Sequence, residues 1–280
     1  VSKQAINAVS SVYGPVQSWR VGRSLGIDLL CVNSICSFRC VYCQLGRINV
    51  HTAARQVYVP TEQVWADLKG SAWATADIIT LAGSGEPTLA ANLGAVIREI
   101  KSLTGKPVLV LTNSAHLHDP QVRRDLRAAD KVFCKLDAAS EVVFRRLNRP
   151  VAGVTLGTVI GGISKLRGEY TGYLGIQLML MSWNVQQLPE FARILRGLRP
   201  DEVQLNAPTR QLPRVWSSSA RGNLPPQGER GIRLKQLDCQ ARAQFAARLR
   251  ELTGLKIITN GATDAQDRLK SNADARPRDC

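Results

Sequence analysis

The chain has 280 residues and a formal charge of +15, from 37 basic against 22 acidic side chains, and it carries seven cysteines. No run approaches the roughly twenty apolar residues of a membrane span, and no charged, apolar and small-residue leader opens it, so the expectation is a soluble, cytoplasmic protein with no membrane partner. An odd number of cysteines, three of them bunched, excludes a secreted disulfide framework; Cys31, Cys134, Cys239 and Cys280 read as incidental thiols in a reducing compartment.

Residues 1–23 form a mixed, partly polar N-terminal extension with a turn at Tyr13-Gly14-Pro15-Val16. Residues 25–32 are the first apolar run, too short for a helix, so they are the first strand, and the stretch from Cys36 to Cys43 is the loop at its end. A helix capped at Thr61 follows. Strands over 77–82, 107–111, 131–136, 173–181 and 202–206 then alternate with helices over 89–103, 119–127, 141–147, 155–166 and 188–198. Six such units imply an α/β fold with a parallel sheet and right-handed helical crossovers, curled into a partial (β/α)6 TIM-type barrel over residues 24–210. Beyond it, 208–231 is rich in Pro, Ser, Gly and Arg and reads as a surface excursion, 238–253 as a helix and 256–259 as a last strand. Residues 211–260 are thus a basic C-terminal extension packed on the barrel, and 261–280 a disordered tail. Between residues 193 and 250 twelve Lys or Arg face four Asp or Glu, a balance that suits a phosphate backbone, RNA in particular, and equally a solvated arginine-rich face.

The chemistry concentrates in Cys36-Ser37-Phe38-Arg39-Cys40-Val41-Tyr42-Cys43, a C-x3-C-x2-C spacing. Iron–sulfur clusters take thiolate ligands, normally four, so three leave one iron of a four-iron cube open and reactive. Two other readings stay open. The spacing also places three small buried hydrophobes on one helix face, and a zinc site could recruit His51 or Cys31 as fourth ligand. No second cysteine cluster exists, so no auxiliary iron–sulfur cluster is expected. Parallel β/α folds gather their sites at the C-terminal ends of strands, and those positions are polar here: Gly83-Ser84-Gly85-Glu86-Pro87-Thr88, Thr112-Asn113-Ser114, Asp137 and Asn206.

The cysteine spacing after the first strand, with Tyr42 before the last cysteine, and the Gly83-Ser84-Gly85-Glu86-Pro87 turn after the second together resemble the radical S-adenosylmethionine superfamily. Tyr13-Gly14-Pro15-Val16, Ser24-Leu25-Gly26-Ile27-Asp28, Cys43-Gln44-Leu45-Gly46, Lys135-Leu136-Asp137-Ala138, Asn148-Arg149-Pro150 and Val203-Gln204-Leu205-Asn206-Ala207-Pro208-Thr209-Arg210 narrow the likeness. They resemble the small iron–sulfur oxidoreductases grouped beside the tRNA wybutosine-synthesis radical enzymes, over residues 12–210.

The resemblance implies that Cys36, Cys40 and Cys43 hold a [4Fe–4S] cluster whose open iron chelates S-adenosylmethionine. By the same resemblance Gly83, Ser84, Gly85 and Glu86 line the methionine amino end, Tyr42 contacts the adenine, and Asn113 and Asp137 serve the ribose or carboxylate. It implies a reductant such as flavodoxin or ferredoxin, cleavage of the cofactor to methionine and a 5′-deoxyadenosyl radical, and hydrogen abstraction from a substrate. That substrate is either an RNA, with a tRNA base suggested by the neighbouring group, or a peptide, protein or small metabolite; DNA is not expected. A non-catalytic iron–sulfur or zinc protein is the alternative from another class. Ser114 stands where related proteins tend to have glycine, which leaves that turn's conformation open. Gly157-Thr158-Val159-Ile160-Gly161 partly matches an adenine-contact pattern but lies on a predicted helix without the closing Glu, so it reads as helix packing. Gln177 reads as buried and satisfied, and Arg210 and Arg214 as solvated or as reaching an anionic substrate.

Overall fold

Short apolar runs such as Ile78-Ile79-Thr80-Leu81 must be covered on both faces, which a parallel sheet achieves when its crossover helices pack on one face and the sheet curls the other inward. The computed structural model, described over residues 9–216, 220–221 and 231–259, has this arrangement. Strand β1 (Val12–Ser18) turns back into β2 (Gly22–Ile27), and β3 (Ile35–Cys36) pairs with β4 (Val50–His51) in a short ladder of its own. Strand and helix then alternate through α1 (Thr61–Lys69), β5 (Ile78–Leu81), α2 (Leu93–Thr104), β6 (Val108–Thr112), α3 (Pro120–Leu126) and β7 (Lys131–Lys135). The chain continues through α4 (Glu141–Asn148), α5 (Leu156–Glu169), β8 (Tyr173–Met179), α6 (Leu188–Leu198), β9 (Glu202–Asn206), α7 (Cys239–Thr253) and β10 (Ile257–Thr259).

The main sheet runs β1-β2-β5-β6-β7-β8-β9-β10, parallel from β2 onward, the open α/β sheet of a partial barrel. The last strand over 256–259 is present as β10, paired with β9, and α7 packs on α6 with Phe245 edge-on to Phe191 at 6.3 Å. Capping follows the residue types. Asp119 accepts from Gln121 N at 2.7 Å, Asp238 from Ala241 N at 2.7 Å, and Thr155 forms a reciprocal box with Thr158. Residues 157–161 lie on α5, the helix expected there, with no atom within 4 Å of a Cβ added at Gly161.

Several expectations are corrected. Residues 12–18 are a strand antiparallel to β2, so the boundary drawn at 23/24 cuts through the sheet. Gly14 and Pro15 break the alternation that marks a strand, which hid it. Tyr13 lays its ring over Gly26, where a Cβ would come within 2.1 Å of a ring carbon, and its hydroxyl donates to Ala82 O at 3.1 Å. The first core strand is β2, not 25–32, because Asp28 turns the chain by accepting Leu30 N at 3.0 Å. Thr61 is not a cap: Pro60 precedes the helix, and the Thr61 hydroxyl accepts from Asn92 at 2.9 Å. The helix expected from residue 89 begins at Leu93, after a single 3-10 turn over Pro87–Leu89. The tail 261–280 and most of the excursion beyond Trp216 lie outside the described residues. Among the described residues no helix is long and apolar enough to cross a membrane.

His116, in the loop between β6 and α3, is 4% exposed, and among the described residues its Nε2 has no partner. Burial, then the neighbouring His118 and Arg55, push its pKa down to about 4. The unfolded chain takes up this proton below its ordinary value of 6.5 while the folded chain refuses it, so folding stability falls as pH drops through that window. The expected loss reaches roughly 3 kcal/mol at pH 4, and His116→Leu should flatten the profile in urea denaturation at pH 7 and pH 4.5.

Candidate active site

The cysteine loop leaves the C-terminal end of β2 and is held along both flanks by backbone. On one flank, Ile35 N donates to Ser84 O at 2.9 Å and Glu86 N to Ile35 O at 3.1 Å, so the glycine turn after β5 pairs with the strand that carries Cys36. Gly85 makes that approach possible, since a Cβ there would lie 1.6 Å from Ile35 O. On the other flank, Arg39 N donates to Asn148 O at 3.0 Å, Val41 N to Leu147 O at 2.9 Å, and Val151 N to Ser37 O at 2.9 Å. The segments Gly83-Ser84-Gly85-Glu86 and Asn148-Arg149-Pro150 are therefore the two walls of one loop.

Cys36, Cys40 and Cys43 are free, partly buried thiols facing one cleft of about 390 Å³, which Tyr42, Gly85, Glu86 and Asn113 also line. Burial pushes the Cys36 thiol well above its ordinary range, aided by the nearby Glu86 and Cys40. Cys40 is pushed up to about 12 by burial and then by Asp137, and Cys43 is raised by burial. All three are neutral at pH 7, so loading a metal group must release protons. Their sulfurs already have donors: Asn113 Nδ2 at 3.5 Å and Phe38 N at 3.4 Å to Cys36, and Asn148 Nδ2 at 3.4 Å to Cys40. The helix-face reading is excluded, because Cys36 ends a strand and residues 37–43 are non-helical. Neither proposed fourth zinc ligand turns toward the thiols. Cys31 is 3% exposed and faces Val9 O at 3.6 Å, and His51 Nε2 lies 3.2 Å from Ser37 O. Among the described residues no three His, Cys, Asp or Glu side chains converge as ligands of a single ion would.

The residues expected to meet a cofactor divide into two groups. Gly85, Tyr42 and Asn113 line the cleft, whereas Gly83 lines an adjoining cavity and the Ser84 hydroxyl points away, donating to Asp28 at 2.7 Å. Glu86 reaches the cleft but is 2% exposed with both carboxylate oxygens occupied. Thr88 Oγ1 at 2.6 Å and Thr112 Oγ1 at 2.7 Å donate to one, and Asn113 N at 2.6 Å to the other. Burial raises its pKa while those donors oppose the shift. Its carboxylate ties the turn after β5 to the turn after β6. Ser114 in that second turn has φ +70°, the left-handed conformation that glycine adopts without strain, with Ser114 N donating to Thr112 Oγ1 at 3.0 Å.

Asp137 lies behind the loop and not on the cleft wall. It accepts from Tyr42 Oη, from Asn148 Nδ2 at 2.9 Å and from Met179 N at 2.7 Å, and it pairs with Lys135 at 3.1 Å. Lys135 in turn lies over the Tyr42 ring at 4.9 Å. Gln177 is buried and bonded to Gln204 at 2.9 Å, as expected. Sequence reasoning missed Asn148, Asp28 and Arg20. The first two sat inside quoted motifs without a role, and Arg20 carries no local signal.

A second cavity, of about 510 Å³, opens on the other side of the same loop. Cys40 and Cys43 line both, and the second is also lined by Arg39, Arg47, Arg149 and Arg214. No carboxylate among the described residues pairs with any of these four guanidinium groups.

The family model described as the Radical SAM superfamily matches residues 30–207. A UPF0026 protein of Synechocystis sp. is 43% identical over 251 residues, covering 88% of this chain and 95% of that one. Among solved structures, SuiB of Streptococcus suis gives a TM-score of 0.59 at 14% identity, covering 84% of this chain and 49% of its own, so the chain spans about half of SuiB. Archaeal TYW1 gives 0.52 at 12% identity, covering 84% of this chain and 74% of its own. At these identities the likeness to both structures is one of fold. The extent of the family match, the relative aligned along nearly its whole length and the thiols at the mouth of a partial barrel lead to one assignment: the chain belongs to the Radical SAM superfamily.

Proposed function

We propose that Cys36, Cys40 and Cys43 hold one [4Fe–4S] cluster and that the adjoining cleft binds S-adenosylmethionine. The observation that carries this reading is the placing of three free thiols on one loop, facing a cleft whose wall is the glycine turn after β5. The donor set fits: three sulfurs, with no nitrogen or oxygen ligand converging on them among the described residues, suit iron–sulfur chemistry over zinc. With the cluster bound, the chemistry supplied is one-electron reductive cleavage of S-adenosylmethionine to methionine and a hydrogen-abstracting 5′-deoxyadenosyl radical.

The chain's own residues do the positioning. Amide donors from Asn113 and Asn148 to Cys36 and Cys40 withdraw charge from the sulfurs, which raises the potential of a group held there. Gly85 gives close backbone approach, and Glu86 fixes its turn against Asn113. Turnover tests the reading: S-adenosylmethionine should yield 5′-deoxyadenosine under anaerobic, reducing conditions. An acidic one-electron donor protein, a flavodoxin or ferredoxin, is the proposed reductant.

For the substrate, the four arginines of the second cavity favour RNA, a tRNA base being the proposed target. If they meet phosphates, the logarithm of the binding constant should fall against the logarithm of salt with a slope of about −3, and Arg149→Ala should lower that slope by roughly one unit. Gel-shift titration against tRNA at several salt concentrations measures it. Binding indifferent to salt would move the substrate to a peptide, protein or small metabolite.

A further inference from the structure

We propose that Arg20 and Arg210 form a binding site for an anionic group of the substrate, a phosphate or a carboxylate, inside the cleft that the three cysteines face. Calling the ligand a substrate rests on the radical reading; the anion site itself does not. Arg20 lies in the hairpin between β1 and β2, and Arg210 four residues beyond β9, yet both line this cleft. Arg20 Nη2 donates to Asn206 Oδ1 at 2.6 Å, joining the first hairpin of the sheet to the end of β9. Arg210 Nη1 reaches Gln44 Oε1 at 3.4 Å, beside Cys43.

Among the described residues neither guanidinium has a carboxylate within ion-pair distance, and Arg20 Nε is buried with no partner at all. The remaining cation of the cleft among the described residues, Lys135, is neutralised by Asp137 at 3.1 Å. The one acidic side chain on the cleft wall among the described residues, Glu86, has both oxygens engaged by Thr88, Thr112 and Asn113. The surplus positive charge is therefore localised at Arg20 and Arg210. Two like charges in a part-desolvated cleft oppose each other: burial first, and then Arg210, push the Arg20 pKa down to about 10. A bound anion relieves that opposition and supplies acceptors for the idle N–H groups, with the planar guanidinium suited to two-pronged contact.

Trp19 provides a local reporter, because the Arg20 guanidinium stacks on its ring at 4.4 Å. The test is 15N indole NMR of the full chain without iron or S-adenosylmethionine, the Trp19 signal being identified from Trp19→Phe. Inorganic phosphate, citrate and uncharged adenosine are titrated separately. The expected result is a saturable shift of the Trp19 signal with phosphate or citrate and none with adenosine. The stronger of the two anions identifies the group, and the affinity should fall roughly tenfold or more in Arg210→Ala and Arg20→Gln but stay unchanged in Arg248→Ala. An unmoved Trp19 signal, or equal affinity in Arg210→Ala, overturns the site. So does a matching loss of S-adenosylmethionine binding by both arginine variants, which would assign the pair to the cofactor's carboxylate. Failure of the wild type to form 5′-deoxyadenosine is a different result: it would remove the radical reading and leave the anion site standing.

Discussion

Gly85→Ala is expected to abolish cofactor binding while the barrel still folds. The new Cβ would lie 1.6 Å from Ile35 O and 2.5 Å from its carbonyl carbon, and both neighbours are backbone that no rotamer change can clear. The turn and β3 must therefore part, losing the Ser84 O and Glu86 N bonds that pair them. The two lost bonds, each leaving its N–H without a partner, amount to roughly 3–5 kcal/mol, or about a 200- to 4000-fold loss in the population of the assembled site. Because the damage is confined to the mouth of the barrel, the far-ultraviolet circular dichroism spectrum should be unchanged. Gly161→Ala, on α5 with nothing within 4 Å of its added Cβ, is the matched control and should bind normally. Equilibrium binding of S-adenosylmethionine to reconstituted protein measures the effect; Gly85→Ala binding within threefold of wild type, a margin of about 0.7 kcal/mol, would refute the contact.

Asp137→Ala should produce the second large effect, in stability and not in chemistry. Its carboxylate collects the Tyr42 hydroxyl, the Asn148 amide, Met179 N and the Lys135 ammonium. Removing it strands Met179 N and the Lys135 ammonium, a charge whose side chain is 19% exposed, while Tyr42 and Asn148 keep each other as partners. Truncating one partner of such a pair costs about 3–5 kcal/mol, and the part exposure of Lys135 places the expectation near the lower bound. Urea denaturation of the metal-free chain should show a midpoint lowered accordingly, with Asp137→Asn less affected because an amide oxygen still accepts from Met179 N. An Asp137→Asn chain with intact stability but weakened S-adenosylmethionine binding would instead restore the direct cofactor contact that the sequence suggested.

These two residues show what could be read from the sequence and what could not. The strands were legible because β5, β6 and β8 are short, nearly continuous apolar runs and β9 alternates Val203 and Leu205 with polar residues, and the cysteine loop because thiol spacing is chemically specific. Gly85 was legible as a turn glycine near a ligand. That the atom it must clear is Ile35 O, fifty residues earlier in the chain, belongs to tertiary pairing alone. Asp137 stands at a strand's end as expected, but its engagement by Tyr42, Asn148, Met179 and Lys135 was not legible, since position after a strand does not say which way a side chain turns. β1 escaped notice because Gly14 and Pro15 interrupt its pattern. Arg20 carried no signal because its partner, Asn206, lies 186 residues away. Asn148 looked like a helix terminus, and its amide proves to be the donor shared by Cys40, Tyr42 and Asp137.

The central claim is that Cys36, Cys40 and Cys43 carry the chemistry. Its most direct test is anaerobic reconstitution of the chain with iron and sulfide, addition of dithionite and S-adenosylmethionine, and quantification of 5′-deoxyadenosine. The account predicts its formation by the wild type and its absence in Cys40→Ala; iron incorporation without any 5′-deoxyadenosine from the wild type would contradict it.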